Sequence, residues 1–262
     1  MKSSCWKSLF AARATRPDLP YWDDAPQLPP VERELIAASI QQFQLGEGAD
    51  GSGLRRRAAQ SALAKADPDF IPSLQLFIQE EQRHSRDLGR FLDREGIPRL
   101  KRHWVDGVFR RVRRLAGLEL CLTVLVTAEI IAVPYYTGLA AATTSPLLQA
   151  ICRQILADEA DHLLYQAFNL SRLRMARRSW RRCEMTACWM FLRGTLMVVW
   201  RGHGRVLRAG GYNWTRFRQE CECLLAEVMS ATNLRTAAES DRTPSAAREV
   251  RVAGTQPALR AE

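Results

Sequence analysis

One apolar segment, residues 118–142 (LELCLTVLVTAEIIAVPYYTGLAAA), limits what this chain can fold into. The segment is long enough to cross a bilayer as a helix. Glu119 and Glu129 lie within it, however, and a carboxylate near the centre of a lipid-exposed span is costly. A helix that is apolar on all sides is equally expected at the centre of a helical bundle. The sequence therefore favours a buried bundle helix over a membrane span.

Apolar residues recur at three- and four-residue spacing elsewhere in the chain, and no alternating runs typical of strands accompany them. This spacing predicts an all-α fold. The predicted helices cover residues 31–66, 70–95, 113–142, 146–174, 179–202 and 213–230, with a long crossover over 97–112.

The same pattern divides the chain into four parts. These are an irregular N-terminal arm (1–30), a helical bundle (31–174), additional helices packed on the bundle (175–230) and a disordered tail (231–262). The first additional helix has Arg193 in its middle, and contact of its outer face with a membrane is the alternative to packing.

Charge and cysteine content narrow the class of partner and compartment. Lys+Arg 38 against Asp+Glu 28 gives a net charge of +10. The arginine-rich runs at 99–114 and 171–182 are ordinarily solvated faces, with contact to an anionic headgroup, an acyl carrier or a phosphate as the alternative. Nucleic acid is disfavoured because no binding motif accompanies the charge.

Seven cysteines without a CxxC pair disfavour a disulfide framework or zinc ribbon. The N-terminus lacks the apolar core of a secretory signal, so we expect a cytoplasmic protein, with peripheral contact at the inner face of the membrane as the alternative.

Two of the four histidines close the pattern Glu-x-x-His, as Glu81 with His84 and Glu159 with His162. Residues three apart on a helix project from one face, so each pair can bind one metal ion or two adjacent ions. Two such pairs among four histidines arise by chance in about one sequence in fifty. The sequence therefore predicts a metal site on two helices.

Further carboxylates precede or lie within these motifs. A metal-bound imidazole normally donates its other N–H to a carboxylate or carbonyl, which makes Glu80, Asp158 and Asp161 candidate partners of the histidines. The alternative is that they are solvated helix charges, above all Asp161.

Two more glutamates complete the count that a two-metal bundle site requires. Glu129 lies in an apolar run where an unpartnered carboxylate would cost several kcal/mol. On the first bundle helix the candidate is Glu47, because Glu32 and Glu34 lie too close to the helix start. Helices of about 13 residues on either side of a turn bring Glu129 and Glu159 to the same height, and Glu47 matches Glu81 if its helix continues to about residue 65.

This duplicated Glu, Glu-x-x-His set over residues 31–174 resembles the ferritin-like di-iron carboxylate proteins. The segments around QLGEGADGSGLRRRAAQ, EEQRH, AEIIAVPYY and ADEADH look most like the demethoxyubiquinone hydroxylase and rubrerythrin branches. The resemblance implies a ferritin-like four-helix bundle with one long crossover, carrying one or two additional C-terminal helices. It implies the ligands Glu47, Glu81, His84, Glu129, Glu159 and His162. The chain departs from the hydroxylase pattern in having Gln44 three residues before Glu47.

The expected cofactor is a pair of iron ions, with manganese as the alternative, because nitrogen and oxygen ligands with open positions do not match structural zinc. The leading hypothesis is an oxygenase or oxidase that uses O2, an external electron donor and a small apolar or amphipathic substrate, as a monomer or homodimer. One alternative is a ferroxidase or iron-handling protein without an organic substrate. Another is a metal-free helical module that binds anionic surfaces.

The remaining histidines and the tyrosines near the ligands receive simpler interpretations. His103 and His203 are predicted to lie on the surface, with a role as further ligand or lid residue as the alternative. Tyr135, Tyr136 and Tyr165 are predicted to pack in the core, with redox or hydrogen-bonding contact to the site as the alternative.

Overall fold

A computed structural model of the chain describes residues 2–25, 28–104, 107, 117–174 and 181–234. Within these ranges every regular element is an α-helix, which confirms the predicted all-α class. The helices are α1 (Ser3–Ala14), α2 (Pro30–Glu47), α3 (Ser52–Ala59), α4 (Ala62–Ala66), α5 (Phe70–Arg94), α6 (Leu118–Ala142), α7 (Pro146–Arg174), α8 (Arg181–Ala209) and α9 (Trp214–Leu234).

The helices form a bundle in which α6 packs along α7, and α5 packs against both α2 and α7. The short α1 lies on α5, while α8 covers α6 and α2, and α9 covers α7 and α6. The buried apolar residues form two clusters, one around Phe77 and Ile130 and the other around Leu88 and Ile155. On α5 and α7, the polar residues of the predicted metal site lie between the two clusters.

Three of the predicted helices occur close to where their periodicity indicates. Helix α5 was predicted at 70–95 and α7 at 146–174, and both agree with the structure within one residue. At the start of α7, Ser145 accepts a hydrogen bond from the backbone N–H of Leu148 at 3.3 Å. This is a normal N-terminal cap before a proline at the first helical position. The predicted helix 113–142 is observed from Leu118, and residues 113–116 lie outside the described part of the chain.

The prediction of one continuous helix over 31–66 is wrong. The chain instead forms α2, α3 and α4, separated by short turns. Gly51 precedes α3 with a left-handed φ of 64° and packs against Ile78, so a side chain there would be both strained and crowded. Glu47 is consequently the last residue of α2 rather than a mid-helix residue.

The N-terminal arm is also corrected, because residues 3–14 form α1 rather than an irregular segment. Trp6 and Phe10 are buried one turn apart on its inner face. The ring of Phe10 lies 6.2 Å from that of Phe77 and 5.9 Å from that of His162, measured between centroids. Helix α1 therefore packs over the outer side of the predicted metal site.

The additional helices are longer than predicted. Helix α8 was expected to end at residue 202 but continues through Gly202 and Gly204 to Ala209, and α9 continues to Leu234 instead of ending at 230. Gly211, with a φ of 84°, makes the left-handed turn between them. The predicted tail 231–262 is thus helical over its first four residues, and the rest of it lies outside the described residues.

Among the described helices, Leu118–Ala142 has the length and apolar character that a membrane crossing requires, with a mean hydropathy of 1.8 over its most apolar window. Within the protein, 67% of that window is buried against other helices. Glu119, near its start, forms an ion pair with Arg174 at 2.9 Å. These contacts are those expected of a central bundle helix.

Gly210, the residue that follows α8, lies directly against Gly138 of α6, and this contact yields a stability prediction. A methyl group at Gly210 would overlap the backbone carbonyl of Gly138, so one helix would have to move. We expect Gly210→Ala to lower the free energy of unfolding by about 1–3 kcal/mol, measured by urea denaturation. Gly194→Ala, inside α8, meets no neighbouring atom and should raise it by about 0.5–1 kcal/mol. Equal stability of the two variants would contradict this packing.

Candidate metal centre

The structure brings together all six predicted ligands. Glu47 comes from the end of α2, Glu81 and His84 from the middle of α5, Glu129 from α6, and Glu159 and His162 from the middle of α7. They form two overlapping groups, and within each group one ligand atom per residue lies within 4.8 Å of the others. The first group is Glu47, Glu81, His84 and Glu159, and the second is Glu81, Glu129, Glu159 and His162. Because Glu81 and Glu159 belong to both groups, these two carboxylates can bridge two metal ions.

The two histidines approach the carboxylates across the bundle. His162 Nδ1 on α7 lies 2.8 Å from Oε1 of Glu81 on α5. His84 Nδ1 on α5 lies 3.7 Å from Oε1 of Glu159 on α7. The Glu-x-x-His spacing therefore places each motif's histidine beside the other motif's glutamate.

The outward nitrogen of each histidine is held by a carboxylate. His162 Nε2 lies 2.9 Å from Oε2 of Glu80, and His84 Nε2 lies 3.2 Å from Oδ2 of Asp158. An Nε2–H that donates to these oxygens turns Nδ1 toward the centre of the site, as a metal-binding imidazole requires. Glu80 and Asp158 thus occupy the positions predicted for them. Asp161 does not, because it forms an ion pair with Arg13 instead of contacting a histidine.

Three arginines, which the sequence analysis did not identify, surround these outer carboxylates. Arg16 Nη1 lies 2.7 Å from Oδ1 of Asp158, and Arg83 Nη2 lies 2.6 Å from its Oδ2. Arg13, which is buried, lies 3.4 Å from Glu80. Burial alone would raise the pKa of Asp158, but the hydrogen bond and charge of His84 and the charge of Arg16 hold it well below its ordinary value. Asp158 is therefore a carboxylate at neutral pH and keeps His84 oriented.

Two ligands are held by side chains of the bundle. The buried Glu129 accepts a hydrogen bond from Gln166, which lies one turn after His162 on the same face of α7. The Tyr136 hydroxyl donates to Oε1 of Glu47 at 2.8 Å, which is the hydrogen-bonding role considered for this tyrosine. Gln166 was missed by the sequence analysis, although its four-residue spacing from His162 placed it on the ligand face.

The unpartnered atoms of the site fit a metal centre. Most buried polar atoms in folded proteins have a hydrogen-bond partner. Here Glu81 Oε1, His84 Nδ1, Glu129 Oε2, Glu159 Oε2 and His162 Nδ1 are buried and make no hydrogen bond of normal geometry, although Glu81 Oε1 and His162 Nδ1 lie only 2.8 Å apart. When all four are ionised, the carboxylates of the two groups carry four negative charges, which two divalent cations would neutralise. Buried glutamates and histidines in this arrangement are ligands suited to such ions.

Without a bound cation, burial and mutual repulsion destabilise the charged forms of three of these carboxylates. Burial raises the pKa of Glu47, Glu129 and Glu159, and repulsion from a neighbouring glutamate adds to each. Burial acts in the same direction on Glu81, but the charge and hydrogen bond of His162 together with the charge of His84 outweigh it, and the pKa of Glu81 is lowered. Metal binding to such a site releases protons, and its affinity therefore rises with pH.

A cavity of about 170 Å³ opens onto the four carboxylates. Its wall is mostly apolar and comes from α2, α6 and α8, including Phe43, Val124, Ile131 and Val199. The additional helix α8 therefore forms part of the site's enclosure. Val124 and Ile131 are themselves buried, so the space beside the carboxylates is shielded from bulk water on the α6 side.

A second cavity of about 390 Å³ reaches Glu47 and Glu81 beneath the loop between α2 and α3. This cavity is more polar, and Asp50, Arg56 and Arg57 line it. The two cavities share Glu47 and Glu81, so the candidate centre is accessible from an apolar side and from a polar side.

The expectation that His203 lies on the surface is wrong, because its side chain is buried in the wall of the apolar cavity. Its Nδ1 lies 2.8 Å from the hydroxyl of Ser39, which in turn lies 2.9 Å from the hydroxyl of Tyr135. His103 is half-buried and also lines this cavity. Tyr165 is buried beside Ser73, as expected of a core residue.

Most of the arginine-rich segments 99–114 and 171–182 lies outside the described residues or has undescribed side chains. Of the arginines that are described, Arg172 pairs with Asp67 at 2.9 Å and Arg174 pairs with Glu119 at 2.9 Å. These two contribute to internal packing. Contact of the segments with an anionic partner or membrane remains a prediction.

No family model, curated protein or solved structure matches the chain. The ferritin-like family therefore remains a prediction from the motifs.

Proposed function

We propose that this chain is a ferritin-like, non-haem di-iron oxygenase or oxidase that activates O2 to oxidise a small, largely apolar substrate. The observation that carries the proposal is the pair of overlapping ligand groups that share Glu81 and Glu159 beneath an apolar cavity. Such a site combines two adjacent ions with room for a substrate next to them.

In this proposal Glu47, Glu81, His84 and Glu159 would hold one ion, and Glu81, Glu129, Glu159 and His162 would hold the other, with Glu81 and Glu159 common to both groups. Bound there, a pair of iron ions supplies the electrons that reduce O2. Insertion of one oxygen atom into a substrate C–H bond consumes O2, two electrons and two protons, and releases one water. The two electrons come from an external donor.

The protein's own contribution is orientation and exclusion of water. Glu80 and Asp158 hold the histidine rings, and Gln166 and Tyr136 hold the terminal carboxylates. The apolar wall offers water few hydrogen-bond partners on the substrate side of the centre, and lower hydration there would strengthen electrostatic interactions and limit side reactions.

An iron-handling ferroxidase uses the same ligands and is the second candidate. It requires a route for Fe²⁺, and the polar cavity that reaches Glu47 and Glu81 has Arg56 and Arg57 in its wall as well as Asp50. Positive side chains on that route are unfavourable for a cation. The apolar cavity serves an organic substrate better than it serves an ion, so the oxygenase is favoured.

O2 uptake distinguishes the candidates. We expect chain loaded anaerobically with about two Fe²⁺ ions to consume O2 and stop, and to resume after anaerobic reduction with dithionite and removal of the excess reductant. A ferroxidase would continue to oxidise a large excess of Fe²⁺ and accumulate ferric mineral, measured by light scattering. Uptake no faster than that of free Fe²⁺ would overturn both candidates and favour the metal-free helical module.

Two variants serve as controls for this experiment. Glu159→Ala removes a bridging carboxylate and should abolish the uptake. Glu34→Ala removes an exposed glutamate from α2, the helix that also carries Glu47, and should leave uptake unchanged.

A further inference from the structure

Four polar residues other than the carboxylates line the apolar cavity, namely Gln42, His103, Thr195 and His203. His203, contributed by α8, lines the cavity, and its Nδ1 is occupied by the Ser39 hydroxyl at 2.8 Å. Its Nε2 has no hydrogen-bond partner within the described part of the chain, and it is not among the fully buried polar atoms. This nitrogen is therefore available to a molecule in the cavity.

The hydrogen bonds from Tyr135 through Ser39 to Nδ1 of His203 determine whether its Nε2 is a hydrogen-bond donor or an acceptor. Tyr135 is completely buried, and its hydroxyl lies 2.9 Å from the Ser39 oxygen. Burial raises the pKa of Tyr135, so the phenol keeps its proton. Ser39 is the only hydrogen-bond partner of this buried hydroxyl among the described residues, so the phenol donates to Ser39. Ser39 then donates its own proton to Nδ1 of His203. Nε2 consequently carries the remaining proton and is a donor.

The charge state of His203 is consistent with this assignment. Burial, with a smaller contribution from His103, lowers the pKa of His203 to about 4. The ring is therefore neutral at pH 7, and it offers a single N–H rather than a positive charge. The arginines near the centre line the other cavity, so the described wall of this one contains no cationic partner for an anionic ligand.

The volume of the cavity limits the size of the ligand. A protein cavity of about 150 Å³ accommodates benzene. At about 170 Å³, this one has room for a single six-membered ring with a small substituent.

We infer that the cavity binds a neutral, ring-sized apolar compound with one oxygen substituent, which accepts a hydrogen bond from Nε2–H of His203. The inference rests on the proposed function for its identification of the ligand as a substrate. Binding itself requires only the cavity and the Tyr135–Ser39–His203 hydrogen bonds, so it is testable on metal-free protein.

Phenol and toluene are matched probes, because they differ only in the hydroxyl and methyl substituents. We expect phenol to bind the metal-free full chain about 3- to 10-fold more tightly than toluene at pH 7, measured by isothermal titration calorimetry. Benzoate should bind more weakly than phenol, because its charge has no cationic partner there. His203→Leu should reduce phenol affinity to that of toluene and leave toluene affinity unchanged.

Further variants separate a specific contact from a general structural effect. His203→Gln retains an N–H donor and should restore part of the preference for phenol. His103→Leu removes the other histidine of the wall and should leave the preference intact. Gly46→Phe should abolish binding of both probes, because a side chain at Gly46 meets no neighbouring atom and can extend into the cavity.

Equal affinity of wild-type protein for phenol and toluene would overturn the inference, as would a preference that survives in His203→Leu or disappears in His103→Leu. Iron content measured on the same samples separates this result from the proposed function. Two iron ions with no phenol preference would leave the oxygenase proposal standing and remove the ligand class. Phenol preference without iron binding would support the ligand class and remove the oxygenase proposal.

Discussion

Asp158→Ala is expected to lower the free energy of unfolding of the metal-free chain by about 3–5 kcal/mol, the cost of breaking a buried ion pair by removing one partner. Asp158 is completely buried and contacts Arg16 at 2.7 Å, Arg83 at 2.6 Å and His84 at 3.2 Å. The alanine would leave these groups without their shared carboxylate. Urea denaturation monitored by circular dichroism measures the effect.

Asp161→Ala is the matched control. Asp161 is one turn further along α7 and pairs with Arg13, but its side chain is 26% exposed. Its removal should cost about 1 kcal/mol or less, because Asp161 is partly solvated and the buried Arg13 keeps Glu80 at 3.4 Å and Asp158 at 3.5 Å. Similar losses in the two variants would contradict the account of Asp158 as the carboxylate that organises the outer layer of the site.

Glutamine substitutions at the ligands are expected to have the largest effects on metal content, and the effects should differ by position. Glu81→Gln and Glu159→Gln change residues shared by both ligand groups, so we expect loss of both ions. Glu47→Gln and Glu129→Gln each affect one group and should leave about one ion per chain. Metal analysis after anaerobic reconstitution and desalting distinguishes these outcomes.

Loss of metal in these variants is not expected to reflect unfolding. Burial and the neighbouring glutamates raise the pKa of Glu129, so its charged form is unfavourable in the metal-free protein. Glu129→Gln should therefore make the metal-free chain at least as stable as wild type at pH 7. Loss of both ions in all four variants, or of none, would contradict the assignment of Glu81 and Glu159 as the shared ligands.

Local signals explain what could be predicted from the sequence. The bounds of α5 and α7 follow from amphipathic periodicity and from start and stop residues such as Pro146 and Gly96. Glu81 and Glu159 could be identified because their three-residue spacing to a histidine is a property of a single helix. Glu129 could be identified because a lone carboxylate in an apolar helix requires a partner.

Long-range contacts explain much of what could not be predicted. Helix α1 is stabilised by Trp6 and Phe10 against α5 and by Arg13 against Glu80 and Asp161, which come from two other helices. The burial of an arginine by distant carboxylates leaves no local pattern. The role of α1 in covering the site was therefore not visible in the sequence.

Two predictions about helix ends near glycines are wrong, and in opposite directions. A continuous helix through the glycines after Glu47 was expected to bring that residue to the height of Glu81. Instead α2 ends at Glu47, and the hydroxyl of Tyr136 holds its carboxylate. Gly202 and Gly204 were expected to end α8, yet the helix continues and buries His203 between them. In both cases tertiary packing decides where the helix ends.

Metal analysis of anaerobically reconstituted protein, alongside Glu81→Ala and His162→Ala, tests most directly whether six side chains from four helices form one two-metal centre. We expect about two iron ions per wild-type chain and a large loss in both variants. Fewer than one iron ion per wild-type chain, or full loading of both variants, would contradict the account.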